Sequence, residues 1–496
     1  MKPFKEARRL HPLTLLQRMV VSLPALVFIL LPVFRSGDST AWFNLVFAGV
    51  YAMFIIPWIS LYYVRFRYWI TPTELVIHSG VVTRRRRNIP IERIQNIEIE
   101  QSPLPRLLGT AKVAVYTAGS AKAEGVLEYV GVRDAREIRE ALRQMQRQLQ
   151  EEGESEDIVS EEIVPAHSQV EPHSVFRMST RRVFTAGAYH FSLLYLAAFF
   201  SLLQYIEPDP TVFFSWLLRG PLDPWRVTIE SSPWLAAILG VMTAALLGWT
   251  SGIFITVNRY HRFQLDLVGN KLHRKHGLLT LAEGTIPLKR IQSWIVRSNP
   301  LMSRFNWFRL ELQTMGIDLK ESGFQVAAPF AHRHEIDEVI ESMGAMPIPE
   351  SFEPVSRLTI RRFALRMSVA AAILLTPFHL WVTDMTMGLA LLPLILALSI
   401  ARYRNMGFAM TRSGFVVRKG IFRKHIWLIP RGKIQAFSMH ANYFQRRLGL
   451  QNLYLDTAGA SPMQPAELVD IPIERAREIL NELYSAFVQD QDDSRS

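Results

Sequence analysis

Long apolar segments alternate with stretches in which apolar and polar residues follow one another singly. Six apolar segments occur in three pairs, at about residues 19–34 and 41–64, 183–206 and 233–257, and 367–382 and 385–401. Most of them approach or exceed the roughly 20 residues that a helix needs to cross a hydrocarbon core, although some members of the first and third pairs are short. The pattern predicts six transmembrane helices in three hairpins. Six buried core helices are the alternative.

A region of period-two alternation follows each apolar pair. In the first region, alternation runs through residues 74–78 and from Ile89 to Glu100, and Val113 and Val115 share one face of a later segment. Each region ends in a helical pattern, at residues 135–145, 334–343 and 473–484. Short half-buried antiparallel strands closed by one helix, within about 85 residues, predict a small barrel or sandwich with a C-terminal helix.

One seven-residue motif occurs once in each alternating region. Its copies are Ile89–Gln95, Ile286–Gln292 and Ile429–Gln435, which share an Ile-Pro start, a basic fifth residue and an Ile-Gln end. A glycine lies nine residues before each copy, and a Thr-x-Gly triplet follows each copy at a matching distance. The spacing is 197 residues from the first copy to the second and 143 from the second to the third. Such constancy predicts one ancestral unit used three times.

These patterns divide the chain into eight segments. We expect a first helix hairpin at 1–67, a first soluble domain at 68–148, an acidic linker at 149–176, a second hairpin with an external loop at 177–257, a second soluble domain at 258–345, a third hairpin at 346–403, a third soluble domain at 404–487 and an acidic tail at 488–496.

Composition narrows the class of protein. Hydrophobic residues make up 49% of the chain, which favours membrane segments alternating with sizeable soluble domains. Cysteine is absent, so disulfides, thiolate chemistry and cysteine-ligated zinc are excluded. The net charge is +12, although residues 149–175 hold eight acidic side chains and no Lys or Arg. A basic body is typical of proteins that meet nucleic acid or an anionic membrane, and the apolar segments favour the membrane.

Arginines mark the outer ends of each apolar pair. Arg8, Arg9 and Arg18 precede the first segment, Arg65 and Arg67 follow the second, and the other two pairs are flanked in the same way. The loops inside the pairs, including a longer one at 207–232, are poorer in basic residues. By the positive-inside rule, both termini and all three soluble domains lie in the cytoplasm of a multi-pass protein.

The helix pair, the glycine hairpin, the I-P-x-x-[RK]-I-Q motif and the Thr-x-Gly strand end together resemble the bacterial PH-like domain, formerly called the membrane-flanked domain. Three copies on six helices resemble the three-repeat membrane proteins of that family. The resemblance implies a bacterial plasma-membrane protein in which each hairpin is followed by a cytoplasmic pleckstrin-homology-like β-barrel with a C-terminal helix. It also implies a partner, since members are often encoded beside a shorter single-repeat relative. It supplies no catalytic residues.

Basic side chains are the candidates for contact with lipid or a partner. Four arginines, Arg84 to Arg87, crowd the first glycine hairpin, and Arg423 and Lys424 hold the equivalent place in the third copy. Anionic lipid heads would attract them, at about 1 kcal/mol for each basic residue near the surface. A solvated hairpin that only orients the domain is the alternative. The motif cations Arg93, Arg290 and Lys433 either bind a ligand or satisfy a neighbouring strand.

Two histidines, His190 and His379, fall inside predicted spans and are the intramembrane polar candidates. The histidines elsewhere lack metal-ligand spacing, and the chain has neither a phosphate-binding glycine loop nor a G-x-S-x-G nucleophile motif. We therefore expect no metal, no cofactor, no nucleic acid and no catalysis. The sequence favours a scaffold that binds a partner, itself or lipid heads, in envelope maintenance or stress resistance. A transporter or channel component is the alternative.

Overall fold

The computed structural model describes residues 7–35, 41–117, 123–154, 173–190, 232–314, 324–379, 391–458 and 466–493. The chain forms two compact units that interleave in sequence. Unit 1 takes Met1–Glu171, Arg177–Gln264 and His273–Thr285, whereas unit 2 takes Pro172–Phe176, Leu265–Leu272 and Ile286–Ser496. The second sequence repeat is therefore divided, because its residues up to Thr285 belong largely to unit 1 and those from Ile286 belong to unit 2.

The described helices are α1 (Leu13–Arg35), α2 (Ala41–Arg65), α3 (Pro103–Leu107), α4 (Val132–Glu154), α5 (Thr180–Ala188), α6 (Pro233–Tyr260), α7 (Pro300–Arg304), α8 (Arg333–Ser342), α9 (Leu358–His379), α10 (Leu391–Arg404), α11 (Tyr443–Arg447) and α12 (Ile473–Asp493). Among them α4, α8 and α12 confirm the helices predicted at the ends of the three repeats.

The described strands fall into three similar series, one for each repeat, with two short additional strands, β7 and β14. They are β1 (Arg67–Ile70), β2 (Glu74–Ser79), β3 (Arg85–Pro90), β4 (Ile94–Gln101), β5 (Thr110–Thr117), β6 (Gly125–Gly131), β7 (His173–Arg177), β8 (Gln264–Val268), β9 (Lys271–His276), β10 (Leu281–Pro287), β11 (Ile291–Ser298), β12 (Trp307–Thr314), β13 (Phe324–His332), β14 (Glu353–Pro354), β15 (Gly407–Thr411), β16 (Gly414–Lys419), β17 (Lys424–Pro430), β18 (Ile434–His440), β19 (Leu450–Thr457) and β20 (Ala466–Pro472).

Three of the described helices are long and apolar enough to cross a membrane. The spanning windows are Leu13–Leu30 in α1, Trp42–Arg65 in α2 and Val241–Tyr260 in α6. Their apolar side chains face outward, since Val21, Met53 and Val241 are each about two-thirds exposed or more. Exposed apolar surface on this scale, on helices that satisfy their own backbone hydrogen bonds, is the form that a bilayer requires.

The six-span arrangement is only partly shown. Residues 191–231, which include the second half of one predicted span and most of the external loop, lie outside the described residues. Among the described helices, α9 carries Arg361, Arg362 and Arg366 in its first turns, and α10 has 14 residues. Because charges and short length both lower the apolar content of a span, these two helices do not meet the criteria that α1, α2 and α6 meet.

Unit 1 contains a core enclosed by two sheets and a helix. Strands β1-β2-β3 form one antiparallel sheet and β4-β5-β6 form part of another. Helix α4 places Ala135, Ile138 and Leu142 against the sheets, at the three- and four-residue spacing of one helix face. Val113 and Val115 of β5 are fully buried in this core, which confirms their predicted common face.

The α1–α2 pair is fixed to this core at its arginine-rich end. Gln17 is fully buried and its amide donates to the Thr110 hydroxyl over 2.7 Å. The Arg18 guanidinium pairs with Glu128 of β6 and lies 3.7 Å from the ring centroid of Tyr62. Arg18 therefore helps to dock the helix on the sheet, in addition to its predicted effect on topology.

Unit 2 repeats this construction in the third repeat. Strands β15-β16-β17 and β18-β19-β20 enclose a core closed by Ala476, Ile479 and Leu483 of α12. Helix α9 is docked by an ion pair between Arg362 and Asp470, whose carboxylate also accepts a 2.9 Å hydrogen bond from Gln445. Since Asp470 is fully buried, this pair is a fixed connection between the helix and the last strand.

The repeated motif forms a turn between two sheets, not a continuous strand. Pro90 ends β3, residues Ile91–Arg93 form a 3-10 turn, and β4 begins at Ile94. The other copies behave alike, with 3-10 turns at Leu288–Arg290 and Arg431–Lys433. The expected continuous strand from Ile89 to Glu100 is therefore wrong, because a turn interrupts it at Ile91–Arg93.

Candidate functional site: strand junctions and a cationic cleft

Neighbouring repeats are joined by strand pairing. Strand β4 of the first repeat pairs with β10 of the second, with Glu100 opposite Ala282. Strand β11 of the second repeat pairs with β17 of the third, with Arg297 opposite His425. The repeat spacing relates these two pairs residue for residue. The first junction lies wholly in unit 1 and the second wholly in unit 2, and both use the same antiparallel register.

The second junction is deeply buried. Ile295 of β11 is fully buried and packs into the core of the third repeat. A buried polar chain crosses the same junction, because the Ser293 hydroxyl donates to Gln313 over 2.6 Å and the Gln313 amide donates to Thr457 over 3.0 Å. Each of these three side chains has a partner, so the junction is held by specific pairing as well as by apolar packing.

Three further contacts accompany strand pairing at the first junction. On α4, Arg139 forms a 3.2 Å ion pair with Glu283 and Arg143 donates to Thr285 over 2.8 Å. The short helix α3 places Arg106 within hydrogen-bond distance of the Leu278 carbonyl, in the hairpin between β9 and β10. At the second junction the equivalent short helix, α7, accepts a 3.2 Å hydrogen bond at Ser303 from Lys424.

The outermost strands of the series have open edges. By repeat position, β3 corresponds to β10 and β17, and β18 corresponds to β4 and β11. Within the described part of the chain, however, β3 pairs only with β2 and β18 pairs only with β19. Whereas β11 is buried along almost its whole length, β18 is exposed from Gln435 onward except at Phe437. Among the described residues, β3 and β18 therefore each keep one edge of backbone donors and acceptors that pairs with no strand.

The two open edges differ in side-chain character. Strand β3 presents three consecutive arginines, which is one of the ways in which proteins protect an edge from unwanted pairing. Strand β18 carries no charged residue among Gln435, Ala436, Phe437, Ser438, Met439 and His440. Exposed apolar side chains, including Met439, Phe444 and Tyr484, lie on β18 and on the helices α11 and α12 of the same repeat. Of these two described edges, β18 is the one that combines unpaired backbone groups with exposed apolar side chains.

A cleft of about 570 Å³ opens in unit 1 at the end of α6. It is lined by Arg106, His261, Arg262, Gln264, Lys275, His276, Gly277, Leu278 and Leu281. Arg262 lies two residues after the end of the predicted spanning window, so the cleft lies at the level where α6 leaves the apolar region. Its lining residues include two arginines and one lysine but no carboxylate.

His276 forms a neutral wall of this cleft. Burial and the neighbouring Arg274 guanidinium lower the pKa of His276 to about 3, so the ring is uncharged at neutral pH. Its Nδ1 lies 2.8 Å from the Arg259 carbonyl, which only a protonated Nδ1 can satisfy, and the ring stacks on Phe263 with centroids 5.6 Å apart. The positive charge of the cleft therefore comes from the arginines and Lys275.

A smaller cleft of about 180 Å³ holds the same position in unit 2. Its lining residues Ser303, Asn405 and Arg418 correspond by repeat spacing to Arg106, Arg262 and Lys275. Arg418 lies 4.4 Å over the Phe352 ring and donates to the Arg404 carbonyl. The cations of the smaller cleft, Arg418 and Lys424, therefore already contact other groups of the protein. In the cleft of unit 1, by contrast, Arg262 and Lys275 are exposed.

The predicted arginine cluster is exposed along β3 and its hairpin. Arg84 precedes β3, and Arg85, Arg86 and Arg87 lie on it. Arg86 donates to Asn88 over 3.1 Å and Arg87 donates to the Glu124 carbonyl over 2.7 Å. In the third repeat, Arg423 is exposed in the corresponding hairpin, whereas Lys424 begins β17 and contacts Ser303. The structure therefore does not bring these candidates into one site.

The motif cations lie at the last position of the three 3-10 turns. Arg93 is exposed, Arg290 is half-buried and Lys433 donates to the Lys289 carbonyl over 3.2 Å. His190 lies just beyond α5 and is exposed, and its backbone N–H donates to the Gly187 carbonyl over 2.9 Å. His379 ends α9, but its side chain lies outside the described part of the structure. Neither group of candidates converges on a cavity among the described residues.

Sequence reasoning missed Arg106, Arg262 and Lys275. Its search followed residues that recur in all three repeats, and these positions change from copy to copy. A usable signal was present, since Arg262 directly follows an apolar segment and Lys275 lies two residues before the repeated Gly277. Gly277 has a φ of +118°, and a Cβ there would lie 1.8 Å from the Thr280 carbonyl oxygen. The hairpin that carries Lys275 is therefore set by glycine.

Comparisons with known proteins agree with the repeat. The bacterial PH domain family matches residues 21–146, 226–346 and 364–487. The UPF0699 transmembrane protein YdbT of Bacillus subtilis (strain 168) is 21% identical to the chain over 489 residues, which cover 96% of this chain and 97% of that relative. No solved structure is significantly similar to the chain. The resemblance drawn from the repeated motif is confirmed, and the chain is a transmembrane protein that belongs to the bacterial PH domain family.

Proposed function

We propose that this chain is a non-enzymatic membrane scaffold that adds a further PH-like unit at its open β18 edge. The observation that carries the proposal is the contrast among equivalent strands. Strands β4 and β11 each pair with the first sheet of the next repeat, whereas β18 has no such neighbour among the described residues. An exposed, uncharged edge with apolar side chains around it is a template for strand addition.

The register of the β4–β10 and β11–β17 pairs predicts how an added strand would align with β18. In that register a partner residue equivalent to Ala282 and His425 stands opposite His440. A shorter single-repeat relative or a second copy of this chain would provide such a strand. A second copy would place Arg85 opposite His440 and would bring Arg84 toward Arg446, so positive charges would meet. A partner hairpin without the arginine run suits the edge better.

The membrane placement of the scaffold follows from its arginines. We infer six spans in three hairpins, with both termini and the three PH-like domains in the cytoplasm of a bacterial cell and with the eight segments bounded as the sequence predicts. Arg65 at the end of α2 donates to the carbonyl of Val81, which lies in the glycine hairpin between β2 and β3. This bond holds the arginine cluster close to the end of a candidate span. Four exposed arginines there favour an anionic leaflet by about 1 kcal/mol each.

The physiological role that suits a non-catalytic membrane scaffold is envelope maintenance or stress resistance. Lateral organisation of proteins at the inner leaflet needs binding surfaces and anchorage but no chemistry. Two kinds of feature support this role, namely the open edge at β18 and the helices α1, α2 and α6, which are suited to a bilayer.

Site-specific photocrosslinking in cells tests the proposal. A photoreactive phenylalanine analogue replaces Met439 on β18, and a matched variant carries it at Val296, the equivalent position on β11. We expect the Met439 probe to yield a covalent adduct with another PH-like polypeptide, because its edge accepts a strand. We expect the Val296 probe to yield only internal crosslinks. An adduct of twice the chain mass identifies self-association, and absence of any PH-like adduct from Met439 overturns the proposal.

A further inference from the structure

We propose that the cleft at the end of α6 binds a phosphate ester, presented either as the head of an anionic lipid or in solution. The inference concerns a site apart from the β18 edge and does not depend on strand addition. It rests on the cations, the fixed shape and the position of the cleft.

The charge of the cleft suits an anion. Arg106 comes from α3, Arg262 follows α6 and Lys275 belongs to β9, so three separate elements bring cations to one cavity. Each guanidinium offers several N–H donors in one plane, and the ammonium group of Lys275 adds a mobile charge, which together fit the oxygens of a phosphate. A volume of about 570 Å³ accommodates a phosphorylated head group.

The cleft is built on fixed backbone contacts. The Gly277 N–H donates to the His261 carbonyl, and the Leu278 N–H donates to the Asn258 carbonyl, both over 2.9 Å. The side-chain oxygen of Asn258 accepts from the Leu279 N–H over 2.9 Å. These bonds join the hairpin to the end of α6, so the backbone positions of Arg262 and Lys275 are set before a ligand arrives. A backbone that is already ordered lowers the entropy lost on binding.

Two exposed leucines are the chain neighbours of residues that line the cleft. Leu107, next to Arg106, is 83% exposed, and Leu279, next to Leu278, is 40% exposed. Exposed leucines beside cations at the end of a spanning helix are typical of surfaces that sit at the boundary between head groups and acyl chains. The exposed side chains of Leu107 and Leu279 favour a lipid over a soluble ester as the source of the phosphate.

Binding to purified full-length protein in a neutral detergent tests the proposal, with native mass spectrometry as the readout. The probes are a short-chain phosphatidylglycerol, glycerol phosphate and a phosphatidylcholine of the same chain length. The cleft variant is Arg262→Gln with Lys275→Gln. The matched control is Arg136→Gln with Arg412→Gln, which removes the same charge from exposed positions outside the cleft.

We expect the cleft variant to bind phosphatidylglycerol about 25-fold more weakly than the wild-type protein, from about a factor of five for each of the two cations. The control should bind as the wild type does, and both variants should keep the wild-type unfolding midpoint. Glycerol phosphate that competes with the lipid would assign the site to soluble esters as well, and no competition would assign it to lipids alone. Equal loss in the cleft and control variants, or no loss in either, overturns the proposal. Crosslinking from Met439 reads a different surface, so the two outcomes are independent.

Discussion

Strands β11 and β18 hold the same place in successive repeats and meet opposite surroundings. Strand β11 is paired on both sides, by β12 and β17, and is buried along almost its whole length. Strand β18 is paired on one side, by β19, and is mostly exposed. Their sequences follow this difference, since Ile295 of β11 corresponds to Ser438 of β18. The comparison teaches that a repeat of this kind completes its second sheet with the first sheet of the next repeat.

The largest expected effect comes from shortening one side chain on each of the two strands. Ile295→Ala should lower the free energy of unfolding by about 2–5 kcal/mol, because it removes buried methyl groups from the core of the third repeat. Ser438→Ala at the equivalent exposed position should change it by less than about 0.5 kcal/mol. Denaturant unfolding of the detergent-purified protein measures both. Similar losses for the two variants would show that β18 is already covered.

A second matched pair concerns the polar chain across the closed junction. Gln313→Ala leaves Ser293 and Thr457 without their partners in a buried place, so we expect a loss of about 1–3 kcal/mol. The equivalent residue beside the open edge is the exposed Asp456, and Asp456→Ala should cost less than about 0.5 kcal/mol. Thermal unfolding followed by circular dichroism compares the two variants. A Gln313→Ala protein as stable as the wild type would contradict the role of this chain.

The closed junction should also respond to acid. Burial and the nearby cations Arg297, Lys419 and Arg423 lower the pKa of His425 to about 4, below the usual value of 6.5 for histidine. The unfolded chain therefore binds a proton at higher pH than the folded chain does, so the stability from neutral His425 is present above pH 6.5 and is lost as the pH falls toward 4. We expect an effect of about 1 kcal/mol, discounted for partial exposure of the ring.

Measurement of the unfolding midpoint from pH 7 to pH 4 checks this sign. His425→Gln should flatten the slope over that interval, because glutamine does not titrate. His276 adds to the same acid loss, since its pKa is also lowered, to about 3. His276→Gln therefore serves as a second variant, and a slope unchanged in both variants would assign the acid response to other groups.

Lysines on the open edge of β18 should change the stability of the protein very little but should strongly reduce its association with a partner. Ser438→Lys with His440→Lys places charges on the open edge, as natural edge strands do, and should alter stability by less than about 0.5 kcal/mol. The same variant should abolish the crosslink from the probe at Met439. The control is Ser351→Lys with Ser413→Lys, which adds the same charge at exposed positions outside β18. A crosslink that survives the edge lysines would place the contact elsewhere.

Much of the fold could be predicted because the three repeats of the chain can be aligned with one another. Equal spacing of the glycine, the Ile-Pro motif and the strand-end threonine located every repeat, and apolar periodicity located α4, α8 and α12. The 3-10 turn at Ile91–Arg93 could not be read, since three residues of turn do not interrupt a period-two pattern visibly. Pro90 was the available signal, because proline has no N–H to donate at the point where the chain leaves the sheet.

The junctions and the cleft lay beyond sequence reasoning for different reasons. Pairing of β4 with β10 joins residues separated by a helix pair, and period-two alternation says nothing about which strand lies alongside. The residues of the cleft, by contrast, are visible in the sequence but differ among repeats. Arg106 corresponds to Ser303, and Arg262 corresponds to Asn405. A search for recurring residues therefore discards the positions at which one copy has become specialised.

The common register of the two junctions has a consequence for how such chains grow. A duplicated gene segment that encodes one repeat carries both of the strands through which repeats pair. The new copy can therefore pair with its neighbours in the existing register, and this strand-paired junction is the seam between modules. Insertion of such a segment lengthens the array by one module without requiring any new interface to evolve. Loss of a module would likewise let the flanking ones rejoin along the same backbone groups. The number of modules in a polypeptide is thus free to vary among lineages, while the geometry of each seam is inherited intact.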